Sequence, residues 1–111
     1  MIEITLLTYL KTVLGEPVYM EITGNKPNEF FILERMSGGE ENYIKSSSFV
    51  VQSYAKTLYR AAEMCEEAIT AMKNAETLDE IVSTSLNSHY NFTDPETKQY
   101  RYQALFDITH Y

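Results

Sequence analysis

Leu58, Ala61, Cys65, Ala68 and Met72 follow one another at spacings of three and four, which predicts an amphipathic helix with a single apolar stripe. Ala62, Met64 and Ile69 widen the stripe, while Lys56, Arg60, Glu63, Glu67 and Lys73 fall on the other side. Three of the inward positions are Ala, so this helix can come very close to whatever it covers. A flat sheet meets that condition better than a loosely packed bundle.

The remaining segments supply such a sheet. Ile2, Leu6, Leu7, Leu10, Val13 and Leu14 recur at helical spacing and predict a first helix over about 2 to 14, ended by Gly15 and Pro17. Val18, Met20 and Ile22 alternate with Tyr19 and Glu21, and the turn residues Gly24 to Asn28 precede the apolar run Phe30 to Leu33. These predict neighbouring strands over about 18 to 23 and 29 to 36. The segment Ser37 to Ser48 has no periodicity and reads as a long loop before a third strand, Phe49 to Tyr54. After the second helix, Val82, Thr84, Leu86, Ser88, Tyr90 and Phe92 fall on one face of an extended segment. Asp94-Pro95-Glu96-Thr97 then turns the chain. From Tyr100 to His110 the alternation is strict and predicts a half-buried strand paired antiparallel with the preceding one.

The predicted order is therefore α-β-β-β-α-β-β in a single domain spanning 1–111. Each helix has one apolar stripe, so both belong on one face of a single mixed, mostly antiparallel sheet, an α+β fold. The other face is expected to be partly polar and to expose several Tyr.

Charge and composition narrow the function classes. The 111 residues carry 9 Lys and Arg against 16 Asp and Glu, a formal net charge of −7. That balance argues against an outer surface built for nucleic acid or for an anionic membrane leaflet. Apolar runs reach about four residues, far short of the roughly 20 that cross a bilayer. One cysteine and no recognisable leader point to reducing cytosol.

No chemical constellation emerges from the reactive side chains. Cys65 lies on the inward stripe, where a small buried apolar residue is the ordinary reading. His89 and His110 fall in strands and share no metal-ligand spacing with Cys65. Ser37-Gly38-Gly39 lacks the context of a phosphate loop, and Glu40-Glu41 beside it would repel an anion. Glu66 and Glu67 point to different sides of a helix, and Arg60 with Glu63 or Glu67 reads as a solvated surface pattern. The expectation is no catalytic, cofactor or metal site, and no enzyme. Nine Tyr and five Phe exceed what a small core needs, even with Tyr54, Tyr59 and Tyr90 placed inside. Tyr brings large area at low side-chain entropy, so the excess suggests docking surfaces.

Several local sequences, in order, carry a resemblance. They are Leu14-Gly15-Glu16-Pro17-Val18, then Asn25-Lys26-Pro27-Asn28-Glu29-Phe30-Phe31-Ile32-Leu33-Glu34-Arg35 with its following Gly-Gly, then Phe49-Val50-Val51-Gln52-Ser53-Tyr54-Ala55-Lys56-Thr57 before a helix with Ala61 and Ala68. Asp94-Pro95-Glu96-Thr97-Lys98-Gln99-Tyr100-Arg101-Tyr102 precedes the closing strand. Over nearly its whole length the chain resembles the small tail-terminator or tail-completion proteins of long-tailed bacteriophages, the group of the lambda tail terminator and the siphophage tail-to-head joining proteins.

The resemblance implies a mixed sheet covered by two helices and a structural virion protein of the tail, assembled in the cytoplasm of a bacterial host. It implies a homo-hexameric ring on the tail tube protein that stops tube polymerisation and meets the head-tail connector protein, with DNA only passing through its lumen and no membrane contact. The segment Ser37 to Ser48, tipped by Tyr43 and Ile44, is expected to reach a neighbouring subunit or the tube. Several of Glu40, Glu41, Glu63, Glu66, Glu67, Glu76, Asp79 and Glu80 are expected to face the channel, where like charge keeps DNA mobile. The alternatives are a head-tail connector or minor capsid component and, from a different class, a small α+β ligand-binding or regulatory module.

Overall fold

The computed structural model describes residues 1–22, 24–41 and 43–111. Two helices, α1 (Ile2–Val13) and α2 (Leu58–Asn74), lie on one side of a five-stranded sheet made of β1 (Val18–Tyr19), β2 (Phe30–Glu41), β3 (Ile44–Ala55), β4 (Ile81–Asn91) and β5 (Tyr100–His110). The strand order is β1-β2-β3-β5-β4, with β1 parallel to β2 and every other pair antiparallel. This is the α+β class and the order of elements that the hydrophobic pattern predicts.

The main core lies between sheet and helices. Leu6 and Leu10 of α1 and Ala61, Met64, Cys65, Ala68 and Met72 of α2 meet Phe31, Leu33, Phe49, Val51, Ala104, Phe106 and Ile108 of the sheet. Ala61 and Ala68 are fully buried, as a helix pressed onto a sheet requires. The Thr57 side chain accepts a 3.1 Å hydrogen bond from the Arg60 backbone N–H and so caps α2. Tyr9 of α1 donates its hydroxyl to the Ala71 carbonyl at 2.7 Å, which fixes one helix against the other. A smaller cluster, Phe30, Ile32 and Tyr54 with Tyr19 against it, sits on the sheet face that no helix covers.

Three expectations are corrected. The expected loop Ser37 to Ser48 is the outer half of a long hairpin, with Gly38 opposite Ser47, Gly39 opposite Ser46 and Glu40 opposite Lys45. Ser, Gly and Glu have weak strand preference. β5 supplies the missing constraint, because it pairs with β3 out to Lys45 and holds that half of the hairpin in the sheet. Asn42 lies outside the described residues. The first strand, expected over 18 to 23, pairs at Val18 and Tyr19 alone, and Met20 and Ile22 are exposed beyond it. Thr23 also lies outside the described residues.

The third correction concerns β4. Its register against β5 shifts between Ile81 and Ser83 and again between Leu86 and Ser88. Each bulge moves the following residues to the opposite face. Ile81, Thr84, Leu86 and His89 stand opposite the helix-facing residues of β5, whereas Ser88 and Tyr90 stand opposite Leu105 and Gln103 on the uncovered face. The single face expected from Val82 to Phe92 is thus divided between the two sides of the sheet.

Candidate interaction surface

The principal-axis extents are 45 × 25 × 25 Å. Twelve strand residues cover about 40 Å, so β2 and β3, each of 12 residues, run the length of the molecule. The hairpin tip and the Phe30–Tyr54 pair therefore mark opposite ends.

At the tip, Tyr43 has φ 67° and its side chain is 90% exposed. Ile44 beside it is 36% exposed, and Met36, in the bulge of β2, is 60% exposed. The outer hairpin is braced on the helix side. Arg35 pairs with Glu3 of α1 at 3.5 Å, and its guanidinium lies over Gly38, where any Cβ would collide with it. A side chain at Gly38 would displace the end of Arg35, and Gly38 and Gly39 lie in paired strand rather than in a phosphate-binding loop.

Across the uncovered face runs a connected set of hydrogen bonds. Arg101 donates to the Tyr54 hydroxyl at 3.1 Å, Tyr54 donates to Gln52 at 3.0 Å, Gln52 donates to Gln103 at 2.8 Å, and Gln103 donates to the Tyr90 hydroxyl at 2.7 Å. The set spans β3, β5 and β4. Further along, Ser48 and Asn87 both donate to Asp107, at 3.1 and 3.2 Å. Arg101 lies 4.6 Å from the centre of the Phe92 ring and 5.7 Å from that of Tyr54, and Lys26 Nζ lies 3.8 Å from that of Tyr19. Phe30 stacks on Tyr54 at 4.7 Å. The face is thus an ordered polar surface edged with aromatic rings, of the composition that protein interfaces use.

The Tyr placed inside by the sequence separate. Tyr54 is 2% exposed and belongs to the core, Tyr90 is 41% exposed on the open face, and Tyr59 is 78% exposed on α2, contrary to expectation. Tyr59 precedes the stripe position Ala61 by two residues and stands in the wall of a shallow hollow with His89 and Tyr102.

Arg60 is more than the surface pattern expected of it. It contacts Glu16 after α1, Glu29 before β2 at 3.1 Å, and Glu63 and Glu67 of its own helix at 2.6 and 3.6 Å. Two of these partners are 44 and 31 residues away in sequence, which no helical spacing reveals. Burial first, then the nearby Glu67 carboxylate, pushes the Glu16 carboxyl above its ordinary range, while Arg60 pulls it down.

The residues singled out for chemistry stay apart. Cys65 is buried, and burial with the neighbouring Glu66 carboxylate pushes its thiol up to about 11, far from a thiolate at neutral pH. His110 is buried, with Nδ1 3.1 Å from the Tyr111 carbonyl and Nε2 2.8 Å from the Ser47 hydroxyl. A carbonyl accepts only, so Nδ1 carries the proton, and in the neutral ring Nε2 accepts from Ser47. His89 is exposed on the edge strand β4. Among the described residues no group of three or more His, Cys, Asp and Glu could hold a metal, and no helix is long and apolar enough to cross a membrane. The acidic side chains expected at a channel form separate sets. Glu63, Glu66 and Glu67 rim a hollow between α1 and α2, Glu40 and Glu41 flank the hairpin tip, and Glu76, Asp79 and Glu80 lie between α2 and β4.

No family model matches the chain, and no curated protein matches it.

Proposed function

We propose that the chain is a subunit of a homo-hexameric ring that caps the tail tube of a long-tailed bacteriophage, stops tube polymerisation and offers a surface to the head-tail connector. The reading begins from the resemblance of the segments around Pro17, Phe30, Gln52 and Pro95 to the tail-terminator group. One structural observation carries it further. A small domain holds a long paired hairpin with an exposed aromatic tip at one end, and a hydrogen-bonded, Tyr-bearing open sheet face runs toward the other. A subunit that works by contact needs such features, and the exposed Tyr43 and Tyr90 serve no core.

The test uses the tail tube protein polymerising in vitro. Substoichiometric addition of this protein is expected to shorten the tubes and to place a ring at one tube end in electron micrographs. Tube lengths unchanged at a tenfold excess of the protein over tube ends would end the proposal. The acidic side chains named above serve, in this reading, to keep DNA mobile through the ring. A ring structure with a neutral or basic lumen would sink that part alone.

A further inference from the structure

We propose that copies of this chain join head to tail, with the hairpin tip of one copy, Tyr43 and Ile44, seated in the hollow formed by Lys26, Phe30 and Tyr54 at the opposite end of the next. A bulky residue in the left-handed region costs about 1–2 kcal/mol, and two-residue hairpins ordinarily place Gly or Asn there. Tyr43 bears that cost at φ 67° with its ring 90% exposed, so its side chain gains no packing in return within one chain. Lys98 of the 94–99 turn shares the left-handed backbone, but Tyr43 alone presents an aromatic ring there, and Tyr is enriched among the residues that carry binding energy once enclosed.

Charge selects the receiving site. The tip carries the exposed Glu40 and Glu41 beside Lys45. Of five larger hollows among the described residues, four have Glu in their walls, including Glu40 and Glu80 in one and Glu63 and Glu66 in two others. The fifth, of about 360 Å³, is lined by Ile22, Lys26, Pro27, Phe30, Tyr54 and Gln99 among others and has no carboxylate. Arg101 lies beside it over the Tyr54 ring. Asp94 and Glu96 belong to the adjoining turn, where Asp94 is engaged by the Glu96 backbone N–H at 2.9 Å. This hollow suits an aromatic side chain escorted by carboxylates.

Tip and hollow lie at opposite ends of the 45 Å axis. With the long axes in line, the pairing is heterologous, so it propagates and closes into a ring or continues as a filament, whereas a closed antiparallel dimer with both tips seated would overturn the head-to-tail arrangement. The inference names a contact within the proposed ring and rests on that reading for its closure, but the pairwise contact is testable without a tail tube.

Two cysteine variants carry the test. Chains with Glu41→Cys, which keeps the Tyr43 ring, and chains with Asn25→Cys are mixed under mild oxidation at about 0.1 mM, with Glu41→Cys plus Lys73→Cys as the control pair; native Cys65 is buried. The expected result is a disulfide dimer at least tenfold faster than in the control, and equal rates overturn the contact. A second test uses a tip variant, Glu41→Gln with Tyr43→Gly, and a hollow variant, Lys26→Glu, each confirmed folded by circular dichroism. Each alone is expected to be monomeric at concentrations where the wild type associates. Their mixture should stop at a one-to-one dimer in sedimentation velocity. Mixtures that grow beyond two chains, or that do not pair at all, overturn the proposal. A confirmed contact with unchanged tube length retires the tail reading and keeps the contact, and tube capping with flat cross-linking does the reverse.

Discussion

Replacing Arg60 by Met tests whether one guanidinium ties the start of α2 to the segments after α1 and before β2. Met keeps most of the apolar stem, so the loss is mainly electrostatic. Arg60 contacts four carboxylates, with side chains 13% exposed at Glu16, 39% at Glu29, 47% at Glu63 and 43% at Glu67. The three more exposed partners are screened and belong near the low end of about 0.2–1 kcal/mol per pair. Glu16 belongs near the high end. The expected destabilisation is therefore about 1–2.5 kcal/mol at neutral pH, or roughly 5–15 °C in Tm for a domain of this size.

The pH dependence follows from Glu16. Its folded pKa lies above the ordinary 4.5, chiefly through burial. Over the window above 4.5 the native state then holds more protons than the unfolded one, so this group's contribution is fully present at low pH and is lost as pH rises. Arg60 limits that loss by pulling the pKa down, and Arg60→Met removes the limit. Urea unfolding between pH 5 and pH 8 should show wild type and variant closer together at pH 5 than at pH 8. Adding Glu67→Gln to the variant should recover part of the difference, because the Glu67 charge is the second cause that raises Glu16. A difference below about 0.5 kcal/mol at pH 7.5, or one that grows on acidification, refutes the reasoning.

Three further expectations can be checked together. Leu10→Ala empties a fully buried position on α1 and should cost about 2–5 kcal/mol in chemical denaturation; a cost under 1 kcal/mol would mean that α1 is not docked as described. Cys65 should resist a thiol reagent at pH 8 in the native state and react at once in denaturant, because its thiol is buried and pushed up to about 11. Rapid native labelling would contradict that placement. Gln103→Leu removes the donor to Tyr90 and the acceptor for Gln52 and should cost about 1–2 kcal/mol, whereas Tyr90→Phe should cost less than about 1 kcal/mol.

What the sequence reveals here depends on how far apart the residues that decide each feature are. The stripe of α2 and the alternation of β5 are set by neighbours a few residues away, and both elements lie where the pattern predicts. The hairpin between Met36 and Ser48 is set by β5, more than fifty residues later, so Ser37 to Glu41 look like loop until Asp107 to His110 are seen beside Ser48 to Lys45. Bulges in β4 have the same origin, since they answer to the register of β5 and carry no local signature in Val82 to Phe92. The candidate surface follows this division. Its residue types, Tyr and exposed apolar groups, are visible in the composition, but the network from Arg101 to Tyr90 depends on three strands coming into register. Tyr43 combines both cases. Its position within an aperiodic segment is legible, and the sequence reading places it at a contact tip. Its left-handed backbone and its place in a paired hairpin are not legible, and they change the expected contact from a long loop to a preformed tip. A preformed tip loses little conformational entropy on docking, so a ring built through it needs less buried area per subunit than one that must first fold its arm.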